Sequence, residues 1–317
     1  MAKPSVFIDG ESGTTGLGIR ERLAALRDVE LRSLPAEHRR DPAARREMMA
    51  QVDLVVLCLP DDAAKQSAAL ADSLGNAAPK VLDASTAHRV DPDWTYGFAE
   101  MQPNQADRIA AARRVANPGC YPTGAIGLLR PLIDAGFIPS DYPVTINAVS
   151  GYSGGGKSMI EAHQRDGGPA FELYALGLEH KHIPEILLYA GLTRRPIFVP
   201  SVGHFRQGML VSIPLHLDAL PGRPAAADLQ ATIQARYAGC DLVRVMPPQP
   251  GGKLEPEALK HTDRLELTVY ANETHRQAVL VARLDNLGKG ASGAAVQNIG
   301  LMLGLHAGVG AREMADA

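Results

Sequence analysis

Little in this sequence suits a membrane, a disulfide-stapled scaffold or a nucleic-acid surface. No apolar run approaches the ~20 residues needed to cross a bilayer; the longest lies around residues 54–59. Cysteine is scarce, and Cys58, Cys120 and Cys240 form neither an even disulfide framework nor a zinc-spaced set. Aromatics are only 5% and the net charge is −3, so neither base-stacking platforms nor the basic field required by nucleic acid is present. The opening segment, MAKPSVFIDG, enters a strand-like run without a basic-then-apolar leader. These shortages point to a cytoplasmic metabolic protein acting on small molecules, with no nucleic-acid and no membrane partner.

The chain has 317 residues, 45% hydrophobic and 21% charged, more than one ordinary core supports, so two domains are expected. Its first part alternates strand and helix signals. Residues 6–8 form a β-branched run, and a glycine-rich turn and a helical pattern carrying Ile19, Leu23 and Leu26 follow. Residues 29–34, 54–59 and 80–83 read as further strands, the second wholly apolar as in a parallel sheet covered on both faces. This rhythm predicts an α/β fold with a Rossmann-type doubly wound domain. Beyond about residue 140, residues 144–149, 208–217, 264–270 and 277–284 cluster β-formers with fewer helices between them, such as 225–237. A second, α+β catalytic domain with a mostly antiparallel sheet is expected there. Residues 293–305 read as a last helix, with Val296, Ile299 and Leu303 on one face.

Between the first strand and helix stands Gly10-Glu-Ser12-Gly13-Thr14-Thr15-Gly16. A dinucleotide fold places its pyrophosphate there, because glycine allows close backbone approach and a helix start supplies N–H donors. The spacing GxxGxxG differs from the usual GxGxxG, so position after a strand, not the pattern alone, carries the assignment. An NAD site usually ends its second strand in Asp or Glu; here Ser33 stands there and Arg39 and Arg40 follow. A hydroxyl and guanidinium groups suit a 2′-phosphate, which predicts NADP.

Cys120 lies in Asn117-Pro-Gly-Cys-Tyr-Pro-Thr123, ahead of a helical pattern starting near Gly124. A thiol facing the positive end of a helix is favoured as thiolate, which is the nucleophilic form. Cys58 sits inside an apolar run and Cys240 has no activating neighbour, so both read as small core residues. A thiolate nucleophile needs a group to manage protons. Among ten histidines His204 stands out, in Gly203-His-Phe-Arg206 directly before a strand, with Arg206 a natural carboxylate anchor. His163, His180 and His182 also lie in polar stretches, and His180-x-His182 has no third metal ligand placed with it.

The turn at Gly10–Gly16, Asp83-Ala-Ser85-Thr-Ala-His-Arg89, residues 117–123, Gly203-His-Phe-Arg206 and Lys289-Gly-Ala-Ser-Gly293 together resemble the N-acetyl-γ-glutamyl-phosphate reductases of arginine biosynthesis, in their shorter form. The resemblance runs through nearly the whole chain, and the NPGCYPT segment is its most specific part. It implies an NADP-binding Rossmann domain from residues 1–118 and 288–317, a catalytic and oligomerisation domain from 119–287, a cytoplasmic location and a homodimer or homotetramer. It also implies Cys120 as nucleophile, through a thioester intermediate, with His204 as acid/base. Arg89 and Asn117 are implied for the phosphate or acyl end of the substrate, Ser150 for substrate binding, and Arg206 for the α-carboxylate. Gly10, Ser12, Gly13, Thr14, Thr15, Gly16, Ser33, Arg39 and Ser85 are implied on the cofactor, with Gly154 and Gly155 of the loop from Ser150 on its nicotinamide side. Ala294 departs from the family, where a polar amide is common near the nicotinamide. The aspartate-semialdehyde dehydrogenases share this architecture and chemistry and differ by one methylene and the acetyl group. A relative in lysine synthesis acting on a carrier-bound substrate is a further alternative, and a non-catalytic NADP-binding regulator is the alternative of another class.

Overall fold

A computed structural model describes residues 3–305, which divide at 118/119 and 290/291 into two compact units. Residues 306–317, within the expected segment 288–317, lie outside the described residues. The division also puts residues 100–102 and 288–290 with the second unit.

The first unit is built on β1 (Ser5–Asp9), α1 (Thr14–Ala24), β2 (Glu30–Arg32), α2 (Pro42–Met49), β3 (Leu54–Leu57), α3 (Asp61–Asp72), β4 (Lys80–Asp83), β5 (Thr95–Tyr96), α4 (Gln105–Ala111) and β6 (Arg114–Ala116). Its six strands run parallel in the order β2-β1-β3-β4-β6-β5. Side chains alternate between two cores, as a period of two requires. Val6, Ile8, Leu54 and Val56 join one with Ile19 and Leu23 of α1, whereas Phe7, Val55 and Leu57 join the other with Met49, Ala64 and Trp94. Continuous apolar strands therefore mark a sheet with helices on both faces, and each fully buried Leu or Ile contributes roughly 1.5–3 kcal/mol. The last described helix, Gly293–Met302, lays Ala295, Val296, Ile299 and Met302 into the first core, so the unit draws on both ends of the chain. The second strand is shorter than residues 29–34 and ends at Arg32, one residue before Ser33.

The second unit comprises α5 (Cys120–Asp134), β7 (Thr145–Gly151), α6 (Gly156–Asp166), β8 (Phe171–Leu173), α7 (Ile183–Ala190), β9 (Ile197–Gly203), β10 (Met209–His216), α8 (Ala226–Arg236), β11 (Val243–Val245), β12 (Leu265–Asn272) and β13 (Gln277–Leu284). Its sheet has the order β11-β12-β13-β10-β7-β9-β8. Four of the pairings are antiparallel, while β7 with β9 and β11 with β12 run parallel. Helix α5 lies across β10 and β13: a Cβ on Gly124 would stand 2.9 Å from Val211 and 3.2 Å from Ala282. Pro131 inside α5 cannot donate to the Gly127 carbonyl, and the buried Tyr237 hydroxyl donates to that oxygen instead (2.9 Å). The helix thus keeps its length despite the proline.

Candidate active site

The glycine turn of the first unit has the shape expected of a phosphate cradle. Gly10 has φ +91°, and a Cβ there would run into the Cys58 carbonyl; one on Gly16 would stand 2.6 Å from the Gly10 carbonyl oxygen. Gly13 differs, since nothing comes closer than 3.7 Å to a Cβ placed on it, and it is the N-cap of α1. No side chain caps that helix and its first turn carries no acidic residue, so its N–H groups suit a pyrophosphate. Ser12 is exposed and Thr14 and Thr15 are half-buried along the same turn. A cavity of about 330 Å³ adjoins them, lined by Gly10, Glu11, Ser12, Leu34, Arg39 and Arg40 among others. Glu11 is the member that sequence reasoning passed over. Its carboxylate accepts from Ser33 Oγ (2.9 Å) and Arg20 (3.0 Å) and pairs with Arg39 (2.5 Å).

Farther along the same sheet, Asp83 organises the loop that carries Ser85 and Arg89. Its carboxylate accepts from the Ser85 amide and hydroxyl (both 2.8 Å) and contacts His88 Nδ1 (2.6 Å). His88 stacks on Trp94 at 4.1 Å, and Arg89 is buried beside it. Asn117 is also buried; its Nδ2 donates to the Ala291 carbonyl (3.1 Å) and its Oδ1 accepts from Asn298 (3.0 Å). The amide is thereby tied to the last helix, where Ala294 is buried and the buried polar residue one turn on is Asn298.

In the second unit, α5 begins at Cys120 itself, four residues before the sequence expectation. Proline at the third helical position is tolerated because its missing N–H has no intrahelical acceptor there, and that is why the boundary was misread. Gly119 is the N-cap, again with no side-chain cap. Its own N–H is held by Glu185 Oε1 of α7 (2.8 Å), a buried carboxylate that sequence reasoning missed because it lies 66 positions away. A Cβ on Gly290, in the π-helical turn Gly288–Ser292, would stand 2.8 Å from the Cys120 Cβ. The half-buried Cys120 is thus fixed by backbone on two sides.

Tyr121 ties this helix start to the ends of β7 and β9. Its hydroxyl donates to the Ser201 carbonyl (3.1 Å) and receives a bond from Tyr174 (3.2 Å). Burial pushes the phenol of Tyr121 well above its ordinary range and that of Tyr174 up to about 12, so both remain neutral donors. His180 lies 3.4 Å from the Tyr174 hydroxyl, and its Nδ1 accepts the His182 amide (3.1 Å). Burial, aided by Lys181, lowers His180 to about 4. The buried His182 ring packs against Tyr121 at 5.9 Å.

Strands β7 and β9 pair Ser150 with Val202 and Gly151 with Gly203, which brings together the two loops that follow. Tyr152 and Ser153 amides donate to the Phe205 and Arg206 carbonyls (2.9 and 3.0 Å). Ser150, Gly154, Gly155, His204 and Arg206 therefore share one end of the sheet. Ser150 is buried and the others are exposed. His204 Nδ1 lies 3.2 Å from Nδ1 of His163, which stacks on Tyr152 at 4.6 Å. One of these ring nitrogens donates to the other, a contact with no signal in the sequence. The remaining cysteines differ: burial, with Asp83 and Asp9, pushes Cys58 up to about 12, while the half-buried Cys240 is raised by burial and Glu100.

Residues 120–286 match the family model described as "Semialdehyde dehydrogenase, dimerisation domain", and residues 35–109 match "Semialdehyde dehydrogenase, NAD binding domain". Proteins named N-acetyl-γ-glutamyl-phosphate reductase from Brucella ovis and Brucella canis are each 53% identical over 310 residues, covering 95% of this chain and 99% of theirs. The chain belongs to the N-acetyl-γ-glutamyl-phosphate reductase family. Among solved structures, the fold matches aspartate semialdehyde dehydrogenase II of Vibrio cholerae, complexed with ASA, with a TM-score of 0.70 at 17% identity over 96% of this chain and 99% of that one. It matches aspartate semialdehyde dehydrogenase of Francisella tularensis with the same score at 12% identity, over 93% and 99%. Membership in this reductase family makes the chain an oxidoreductase that uses a nicotinamide cofactor, for which the uncapped α1 turn is suited.

Proposed function

We propose that this chain reduces N-acetyl-γ-glutamyl phosphate to N-acetylglutamate semialdehyde, with NADPH as donor and release of phosphate, in arginine synthesis in the cytoplasm. The observation that carries the mechanism is Cys120 at the first position of an uncapped, buried helix, where the helix dipole favours thiolate. The thiolate attacks the γ-carbonyl, the carbon–oxygen bond to phosphate breaks, and a thioester remains on Cys120. Backbone N–H groups of the first turn of α5 are the donors for the developing oxyanion. NADPH, when bound, supplies the hydride that takes the thioester to the aldehyde level. His204 gives a proton to the carbonyl oxygen as the thiohemiacetal forms and takes it back as the carbon–sulfur bond breaks and the thiolate returns.

Arg89 and Asn117 are assigned to the phosphate or acyl end of the substrate, Ser150 to substrate binding, and Arg206 to the α-carboxylate. The turn from Gly10 to Gly16, with Ser33, Arg39 and Ser85, is assigned to NADP, and Gly154 and Gly155 to its nicotinamide side. The expected domains, 1–118 with 288–317 and 119–287, stand on the same reading. Assembly as a homodimer or homotetramer draws support from the open face of the second sheet. There Phe171, Leu173 and Val279 are exposed around a cavity of about 710 Å³.

A second reading of the acid/base is His182. It is buried against Tyr121, the neighbour of Cys120, and its helix supplies Glu185 to the Gly119 amide. Replacing Cys120 by Ser should lower the rate by several orders of magnitude. The assay runs backwards, following nicotinamide absorbance with NADP, phosphate and either N-acetylglutamate or aspartate semialdehyde. His204→Asn and His182→Asn, run beside it, assign the acid/base to whichever loses about 100-fold or more. Near-normal phosphate-dependent turnover by Cys120→Ser refutes the thioester, and signal with aspartate semialdehyde alone refutes the substrate. Silence with both substrates would favour the regulator.

A further inference from the structure

The expected 2′-phosphate donors already hold an anion belonging to the chain. Ser33 Oγ and Arg20 converge on one oxygen of Glu11, and Arg39 approaches the other. The Glu11 side chain is only 6% exposed, whereas Arg20 and Arg39 are 46% and 42% exposed. The two oxygens are held unequally. Oε2 accepts two directed hydrogen bonds, but Oε1 is buried with its ion pair to Arg39 and no aligned hydrogen-bond donor. Arg39 also donates to the Leu34 carbonyl (3.2 Å), so its position does not depend on Glu11 alone. All these groups border the cavity next to the glycine turn or bond directly to a residue that does.

We propose that Glu11 is a specificity-determining residue of the nucleotide site, a resident carboxylate that restrains the preference for NADP over NAD. The inference rests on Ser33 and Arg39 being the 2′-phosphate donors. A phosphate reaching them must take Ser33 and Arg39 from Glu11 and then lie near a like charge, which weakens its binding. A cofactor with an uncharged ribose hydroxyl makes neither demand and leaves the contacts of Glu11 in place. Both effects act against NADP relative to NAD. Arg20, which neither effect displaces, keeps the buried carboxylate neutralised throughout.

The test is the dissociation constants of NADPH and NADH, followed by nicotinamide fluorescence at fixed ionic strength, for the full chain and for Glu11→Gln. The variant should raise the NADPH-to-NADH affinity ratio about tenfold, the size of one charge contact at a partly exposed site. Glu11→Ala takes its place if the glutamine variant fails to fold, with the same expected direction. An unchanged or lower ratio overturns the role of Glu11. A parent chain that binds NADH as tightly as NADPH overturns the assignment of NADP instead, whatever the variant does, so the two failures are distinguishable.

Discussion

Gly290→Ala introduces a methyl group directly behind the nucleophile. The added carbon would stand 2.8 Å from the Cys120 Cβ, 3.0 Å from the Asp285 carbonyl oxygen and 3.3 Å from the Cys120 Cα. None of these is the free end of a flexible side chain. Gly290 cannot retreat without loss either, because its amide donates to that same Asp285 carbonyl (2.9 Å) and closes the π-helical turn. Either the start of α5 or the turn must move by several tenths of an ångström. Overpacking of this kind costs typically 1–3 kcal/mol, and a displaced reacting group loses about 100-fold in rate for a 1 Å error. A shift of about half that size predicts a roughly 10-fold fall in kcat, with stability lower by about 1–2 kcal/mol. Gly177 serves as the control, since its added Cβ meets nothing within 4 Å; Gly177→Ala should leave stability within about 0.5 kcal/mol and kcat unchanged. Steady-state kinetics on both variants, with urea unfolding for stability, make the comparison. Parental kcat and stability in Gly290→Ala would show that the backbone behind Cys120 does not set its position.

Lys289→Met should destabilise the chain by about 3–5 kcal/mol in urea unfolding, because it removes the ammonium paired with a carboxylate only 10% exposed. The ammonium bonds both Glu100 oxygens at 2.8 Å and is 2% exposed; pairing the change with Glu100→Leu should recover most of the loss, and a single-variant cost below about 1 kcal/mol would contradict this. His180 makes stability fall with acid. Its folded value of about 4 lies below the ordinary 6.5, so the unfolded chain binds the extra proton, and its contribution is intact above 6.5 and lost as pH falls toward 4. After allowance for partial exposure that loss is on the order of 1–2 kcal/mol, and His180→Asn should flatten the decline in Tm between pH 7 and 5. An equally steep decline in the variant would remove His180 as its source.

Periodicity made the first unit legible, because each of its inner strands is covered on both faces and must be apolar throughout. Leu54–Leu57 carries that signature completely. The edge strands Thr95–Tyr96, Phe171–Leu173 and Val243–Val245 escaped, since two or three residues pairing on one side leave no periodic trace. The site divides in the same way. Cys120 and the glycine turn were readable because helix starts and tight turns impose local demands on residue type. Glu185, His163, Gly290 and Glu11 were not, as each acts through a contact that only folding creates. Glu185 reaches the Gly119 amide from another helix, and Gly290 reaches Cys120 from across the unit. Glu11 is the most instructive, since it sits inside the motif that was read. Its neighbours Gly10 and Gly13 declare their purpose through backbone freedom, but a carboxylate between them has no local reason to be there. Only its convergence with Ser33, Arg20 and Arg39 supplies one. A motif therefore reports what its backbone must do, while the charge balance of the site it builds is set by partners distant in sequence.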